Sequence, residues 1–348
     1  MPIETSNTIR VLATFFIVMH HVLWPAYNSF SLNNANPLVW LVAFVNQAGK
    51  PAVMFYIILS GIAFGNKGGS SLSLFLERAK RVLIPYLFFS LLYAILNNRL
   101  TSLPADLFNG GASYHLYFVP LIFSCYLILP LFQKYSDRAS FSAFIVLSFL
   151  LGTLFLQQNT GANSILINFQ ISLENWRIEN LDNYVSVRWL LYFTYTFPLF
   201  YLGVKISKLK RNQLTTKPLY IPIVVLITYA IVFFDFSYRV EHLGDSPDRA
   251  GRIWRYSVLF YIAALIWLFR HWKPSFSRLS RLSLYSYPVY LIHPLFIDHS
   301  HSILLPTNLL ITLCSSWGIL ILLHRYLPSG SFARTLIGLP ESRIDRKI

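Results

Sequence analysis

The chain has 348 residues, of which 55% are hydrophobic, 17% aromatic and only 12% charged, and its mean hydropathy is +0.51. An ordinary soluble domain carries about 25% charged residues, so this composition indicates an integral membrane protein. The net charge of +15 would suit nucleic acid if the basic residues clustered on a soluble domain. They lie instead in short gaps between apolar runs, and we therefore expect no nucleic-acid partner.

Apolar runs of about 17 to 25 residues predict membrane-spanning helices. Such runs lie near 8–27, 40–64, 81–97, 114–132, 140–157, 188–206, 218–236, 253–271, 282–304 and 305–323. The second run is interrupted by Asn46-Gln-Ala-Gly-Lys-Pro51, and only a tight Pro306-Thr-Asn turn separates the last two. The prediction is an all-α bundle of about ten helices. It forms a single domain over residues 1–348, with no fused soluble domain expected.

Lysine and arginine fall unevenly on the two sides of this layout. With the N-terminus inside, the inner segments hold 20 of them and the outer gaps hold five. Because cytoplasmic loops are enriched in both residues, both termini are predicted to be cytoplasmic. We expect a multi-pass protein of the plasma (inner) membrane, surrounded by lipid.

Arg10 and His21 lie inside the first apolar run, where a spanning helix should hold no charge. Their separation is three helical turns plus roughly 20°, so both share one face, about 16 Å apart along the axis. A neutral histidine at bilayer depth can act as a general base, and an arginine near the cytosol suits a phosphate or carboxylate. The structural alternative is an arginine that extends to the interface and a histidine bonded to a neighbouring helix. His20 lies about 100° off the shared face and is a secondary candidate.

Arg78 and Arg81 open the third run from its predicted cytoplasmic side. Three residues apart on a helix, they present two guanidinium groups on one face, which suits phosphate groups. Ordinary positive-inside anchoring explains the same pair. In the second run, Ser60 and Gly61 lie in an apolar helix, where small residues indicate close helix packing. No recognisable nucleophile motif surrounds Ser60, so a serine hydrolase is not expected.

Histidines recur in the fourth and ninth runs. His115 precedes several aromatic residues, an arrangement that is also typical of an interfacial aromatic belt. His293 lies near mid-membrane in the ninth run, with Asp298, His299 and His301 toward its predicted outer end. Nothing in the sequence places these groups in a metal-binding geometry, so we expect no metal.

These segments, in this order, resemble the acyltransferase-3 family of membrane-bound acyltransferases over nearly the whole chain. The matching segments are Arg10 and His21, Met54-Phe-Tyr-Ile-Ile-Leu-Ser-Gly61, Arg78 and Arg81 followed by Pro85-Tyr86, His115-Leu-Tyr-Phe-Val, and Ser286 through Pro294. The sequence departs from the family pattern in three places. Ile9-Arg10-Val11 replaces the usual Leu-Arg-Gly, Tyr117 replaces a tryptophan, and the spacing between Pro85 and Tyr86 is tightened.

The resemblance implies transfer of an acyl group, typically acetyl from acetyl-CoA, to a hydroxyl of an extracytoplasmic or lipid-linked carbohydrate. It implies that Arg78 and Arg81 hold the CoA phosphates at the cytoplasmic mouth and that Arg10 orients the donor. His21 either deprotonates the acceptor hydroxyl or carries the acyl group transiently. Further residues in the matching motifs have substrate-binding or structural roles: His115, Tyr117, Ser60 and His293.

An exporter or flippase of polysaccharide or lipid-linked sugar is the second interpretation. It requires a continuous polar path through most helices, and the apolar runs hold few charges, which favours the enzyme. Acceptor specificity is expected in the outer loops. There Trp176, Tyr184 and Trp189 are candidates to stack on sugar rings, although aromatic residues are common at membrane interfaces.

Overall fold

A computed structural model describes residues 2–29, 37–66, 72–132, 138–158, 187–209, 218–253, 255–274, 276–298 and 304–340. Within these ranges the regular secondary structure is entirely helical. The helices are α1 (Ile3–Ser29), α2 (Pro37–Ala48), α3 (Ala52–Asn66), α4 (Leu72–Leu96), α5 (Leu103–Asn109), α6 (Phe118–Phe132), α7 (Ala139–Gln158), α8 (Val187–Lys208), α9 (Tyr220–Glu241), α10 (Pro247–Ala250), α11 (Tyr256–Trp272), α12 (Ser277–Arg281), α13 (Ser286–Ile292), α14 (Leu305–Tyr326) and α15 (Phe332–Leu336).

Several of these helices have the length and hydropathy of membrane spans. Five segments of the described chain qualify, namely Ile3–Trp24, Val39–Asn66, Ala79–Leu96, Tyr220–Glu241 and Leu305–Tyr326. Shorter apolar helices cover Phe118–Ile128, Ala139–Gly152 and Tyr256–Trp272. A backbone inside the bilayer core must satisfy its own hydrogen bonds, and helices do so. The protein is therefore a helical membrane protein.

The predicted helix 40–64 is two helices, α2 and α3, separated by a turn at residues 49–51. Pro51 has no N–H and disfavours a helical conformation at the residue before it, which ends the first helix. Gly49 lies against α1, where an added Cβ would be 3.3 Å from the carbonyl oxygen of Phe16. The turn therefore brings the backbone of Gly49 close to α1.

The predicted helix 282–304 also differs from the structure. Residues Leu282–Tyr285 form a 3-10 helix, α13 follows, and His293–Phe296 form another 3-10 turn. Pro294 lies near the start of that second turn and cannot donate a backbone hydrogen bond to continue α13. The helix α13 is therefore short, with seven residues. The backbone becomes extended at Ile297, directly after the second 3-10 turn.

Small residues bring α3 and α8 into close contact. Gly61 of α3 lies against the backbone of Phe200 and Gly203, and Gly203 of α8 lies against the backbone of Ile58 and Ile62. One turn further along, Gly65 contacts Ser207. This is the small-residue packing that membrane helices use in the absence of a hydrophobic driving force, and it confirms the close packing predicted at Gly61.

The C-terminal segment folds back onto the end of α14. Arg334 of α15 is 1% exposed, and its guanidinium donates hydrogen bonds to the carbonyl oxygens of His324, Leu327 and Pro340. A helix leaves its last carbonyls without internal partners, and this arginine supplies donors for them. Gly338 then packs against Pro85 of α4.

Candidate active site

Three separate elements bring four histidines together inside the bundle. His20 and His21 lie on α1, His115 lies in the turn before α6, and His293 lies where α13 ends. Three of the rings are close: His21 and His293 are stacked with centroids 5.2 Å apart, and His115 and His293 meet edge to face at 5.3 Å. The structure thus brings together three residues that the sequence singled out on three different helical segments.

The hydrogen bonds of His293 assign its tautomer. Its Nδ1 lies 2.8 Å from the carbonyl oxygen of Tyr290 and 3.2 Å from that of Val289. Because a carbonyl oxygen only accepts, Nδ1 carries the proton and donates it. Nε2 is then an acceptor, and this buried atom has no hydrogen-bond partner among the described residues. A buried acceptor without a partner is costly, so Nε2 is suited to receive a hydrogen bond from a substrate or from a water molecule.

Tyrosines surround the three histidines. The rings of Tyr93 and Tyr290 each meet the His115 ring edge to face, with ring centroids 5.3 Å apart in both pairs. Tyr290 also donates its hydroxyl hydrogen to the backbone carbonyl of His115. Tyr93 donates a hydrogen bond to the carbonyl oxygen of Leu291, 2.8 Å away. These bonds connect α4, α13 and the turn before α6, and they fix the histidine rings relative to one another.

His20 is oriented separately from His21. The Asn46 side-chain amide donates to Nδ1 of His20 at 2.9 Å, from the end of α2. His21 makes ring contacts with Tyr114 at 4.8 Å and with His20 at 5.3 Å. His21 is the residue of this pair that stacks on the His293 ring.

Two cavities share His20 and His21 in their walls. The smaller one, of about 170 Å³, is lined further by apolar residues such as Ile17 and Val53, and by Lys50, His115 and Tyr117. The larger one, of about 610 Å³, is lined by Trp24, Tyr93, Leu96, Asn97, Ser113, Tyr114, Pro294 and Leu295. Since Ile17 and Trp24 lie on either side of His21 along α1, the two cavities adjoin successive turns of this helix.

Like Ile17 of the smaller cavity, Arg10 lies N-terminal to His21 on α1. It is half-buried, and its guanidinium donates to Asn7 Oδ1 at 3.2 Å. One turn further, Thr14 hydrogen-bonds to the carbonyl of Arg10 and to the hydroxyl of Tyr56 on α3. Polar contacts therefore extend from Arg10 by one helical turn to Thr14 and across to α3.

The remaining predicted site residues are more dispersed. Arg81 is exposed on α4, and the side chain of Arg78 lies outside the described residues. Ser60 is half-buried on α3 and lines neither of the two cavities. His299, His301, Trp176 and Tyr184 lie outside the described residues, as does the side chain of Trp189.

Metal binding has no support in the described part of the chain. No group of three or more His, Cys, Asp or Glu side chains there has the geometry to hold an ion.

Sequence reasoning missed several residues that line the cavities. Lys50 is 7% exposed and Tyr290 is 6% exposed, so both are part of the interior beside the histidines. An isolated lysine in an apolar run was the available signal for Lys50. Trp24 follows His21 by three residues and Tyr114 directly precedes His115, but only the tertiary structure brings both to one cavity.

The fold and the site define a helical membrane protein whose interior holds three clustered histidines, one of which, His21, lines two cavities. A family model described as an acyltransferase domain, Acyl_transf_3, matches residues 4–323. The chain belongs to this family of acyltransferases. No curated protein and no solved structure matches it.

Proposed function

We propose that this protein is a membrane-bound O-acyltransferase. It moves an acyl group, acetyl in the simplest case, from cytoplasmic acyl-CoA to a hydroxyl of a cell-surface or lipid-linked carbohydrate. The observation that carries the proposal is the position of His21, which contacts His293 and lines two cavities that adjoin successive turns of α1. A donor and an acceptor can approach such a histidine from different sides.

The proposal includes a membrane topology of about ten spans with both termini cytoplasmic, based on the uneven distribution of lysine and arginine. Arg10, Arg78 and Arg81 then lie toward the cytosol, where the phosphates of CoA would bind. The half-buried Arg10 and the hydrogen-bonded pair of Thr14 and Tyr56 support a donor route along α1. The protein resides in the plasma (inner) membrane.

Acyl transfer at His21 has two forms, and both fit the geometry. In direct transfer, His21 takes the proton of the acceptor hydroxyl while that oxygen attacks the thioester carbonyl. The C–O bond forms, the C–S bond breaks, and CoA leaves as a thiolate that finally receives the proton. In the covalent form, a nitrogen of His21 attacks the thioester carbonyl, so that a C–N bond forms, the C–S bond breaks and CoA leaves as a thiolate. The acceptor hydroxyl then attacks this acyl group, the C–N bond breaks to free His21, and a neighbouring base takes the hydroxyl proton.

His293 supports either form. Its unpartnered Nε2 is a proton acceptor in the centre of the site, and its ring stacks on His21. As an acceptor nitrogen, this Nε2 can take the proton of the acceptor hydroxyl. No metal is part of this proposal.

The experiment is acetyl transfer in isolated membranes supplied with labelled acetyl-CoA. His21→Ala should reduce label incorporation into envelope glycan by about 10² to 10⁴-fold, the usual contribution of a general base. His242→Ala is the matched control, since His242 is exposed at the end of α9 and lines neither cavity. Full activity of His21→Ala at normal protein level would overturn the role of His21.

The same membranes test the exporter hypothesis. An exporter moves labelled sugar across the membrane without acetyl-CoA, whereas the enzyme leaves the sugar acetylated only when acetyl-CoA is present. Sugar movement that is independent of acetyl-CoA and unaffected by His21→Ala would favour export.

A further inference from the structure

The larger of the two cavities has the features of a ligand site. Its volume of about 610 Å³ lies within the usual range for small-molecule sites, whereas the smaller cavity of about 170 Å³ lies below that range. Its wall combines aromatic and aliphatic side chains with an amide and a hydroxyl group, from Asn97 and Ser113. A mostly apolar wall with a few polar groups is typical of such sites.

Two aromatic side chains in this wall are exposed. Trp24 at the C-terminal part of α1 is 43% exposed, and Tyr114 in the turn before α6 is 50% exposed. The indole N–H of Trp24 donates to Asp248 Oδ1 at 3.4 Å, which holds the ring from α10. An oriented aromatic ring offers an apolar face to a ligand at low entropic cost, because it has only two side-chain torsions.

Tyr114 connects the cavity to the histidines. Its ring lies 4.8 Å from the His21 ring and 5.4 Å from the His115 ring, measured between centroids. Ser113, the preceding residue, is hydrogen-bonded to Nδ1 of His115 at 3.1 Å. A ring that packs on Tyr114 is therefore held directly beside His21.

Polar groups are available at the same place. The Asn97 amide nitrogen donates to the carbonyl oxygen of Ala112 at 3.2 Å, which fixes the side chain so that its amide oxygen remains an acceptor for hydroxyl groups. The combination of flat aromatic faces, a fixed amide and a serine hydroxyl matches a pyranose ring, which has apolar C–H faces and a rim of hydroxyls. A long-chain alcohol would use the aromatic faces but not the polar groups.

We propose that the larger cavity is the acceptor subsite and that Trp24 and Tyr114 bind the face of a pyranose ring there, with Asn97 bonding its hydroxyls. The proposal rests on the acyltransferase function proposed above and specifies where its acceptor binds. It assigns acceptor recognition to residues of α1 and of the turn before α6. The stacking role that the sequence suggested for Trp176, Tyr184 and Trp189 is thus assigned to Trp24 and Tyr114 instead.

The test measures acetyl transfer by the purified protein in detergent or nanodiscs, with labelled acetyl-CoA as donor. The acceptors are a fixed panel of methyl pyranosides of the common hexoses and N-acetylhexosamines, and n-octanol serves as the apolar comparison. Trp24→Ala and Tyr114→Ala should each raise KM for the preferred pyranoside at least tenfold and leave KM for acetyl-CoA within twofold. Trp24→Phe and Tyr114→Phe keep an aromatic face and should stay within threefold of the parent protein.

Matched controls remove exposed aromatic rings that line neither cavity. Trp272 is 39% exposed at the end of α11, and Phe108 is 64% exposed on α5. Their alanine variants should leave both KM values within twofold. This comparison separates loss of the cavity wall from a general effect of removing a surface aromatic residue.

The outcomes distinguish the two proposals. Acetyl transfer to a pyranoside with unchanged KM in Trp24→Ala and Tyr114→Ala would overturn the subsite alone. Preference of the parent protein for octanol over every pyranoside would also overturn it while leaving acyl transfer intact. No acetyl transfer to any acceptor would overturn the proposed function, and the subsite with it.

Discussion

Replacement of Gly203 by alanine tests the close contact between α3 and α8. A Cβ built at Gly203 would lie 3.0 Å from the carbonyl carbon of Ile58 and 3.0 Å from the backbone nitrogen of Ile62, and closer still to the Ile58 oxygen. These are backbone atoms, so no side chain can rotate away. The two helices must separate by on the order of 1 Å to reach ordinary van der Waals distance.

The expected cost follows from this separation. Overpacking of a tight interface costs about 1 to 3 kcal/mol, and a gap of 0.5 to 1 Å forfeits roughly a quarter to a half of each neighbouring dispersion contact. Alanine recovers up to about 1 kcal/mol through its better helix propensity, so the clash still dominates. After this gain is subtracted, we expect a net loss of up to about 2 kcal/mol.

The assay is thermal unfolding of purified protein in detergent, followed by tryptophan fluorescence or by retention of a fused reporter in solution. Gly61→Ala should behave like Gly203→Ala, since its Cβ would lie 3.1 Å from the Gly203 Cα and closer to the Phe200 carbonyl oxygen. Gly318→Ala on α14 is the control, because a Cβ there meets nothing within 4 Å. It should match the parent midpoint or exceed it slightly. Equal midpoints for all three variants would refute the packing argument.

Two polar clusters give further predictions. Asp235→Asn should lower the free energy of unfolding by about 1 to 3 kcal/mol in the same assay. Asp235 accepts hydrogen bonds from Arg255, Ser257 and Arg239, and its removal leaves the charge of Arg255, which is only 2% exposed, without its carboxylate partner. Glu241→Gln, at an exposed position on the same helix, should leave the midpoint unchanged, and a similar shift in both variants would contradict the assignment. Arg334→Leu should cost about 2 to 4 kcal/mol and expose the C-terminal segment to protease, since it removes the donors to three backbone carbonyls. Arg325→Gln is its exposed control, and protease resistance of Arg334→Leu would show that other contacts hold this segment.

Helical class and membrane location follow from sequence, because both depend on composition and on the length of apolar runs. The breaks within the predicted helices were harder to predict from the sequence. Pro51 and Pro294 each mark a break, but only the structure shows that the first yields two helices and the second a short α13 with 3-10 turns on either side. Proline marks where a helix can end, and packing against neighbours decides how the chain continues.

The candidate site shows the same division. The shared face of Arg10 and His21 is a local consequence of helical geometry, so their spacing was sufficient to predict it. The family resemblance, now supported by a family model over residues 4–323, singled out His115 and His293 without placing them beside His21. Their contact depends on α1, α13 and the turn before α6 packing together, which no spacing along one chain segment encodes.

The sequence by itself determined that this is a helical membrane protein of an acyltransferase family with an Arg–His face on its first helix. Only the tertiary structure decided that three histidines meet and that two cavities adjoin His21. It also decided that Nε2 of His293 has no hydrogen-bond partner within the part of the chain that the structure describes. The reason is physical: composition and periodicity act within one helix, whereas a site and its cavities form where side chains from distant helices fail to fill the space between them.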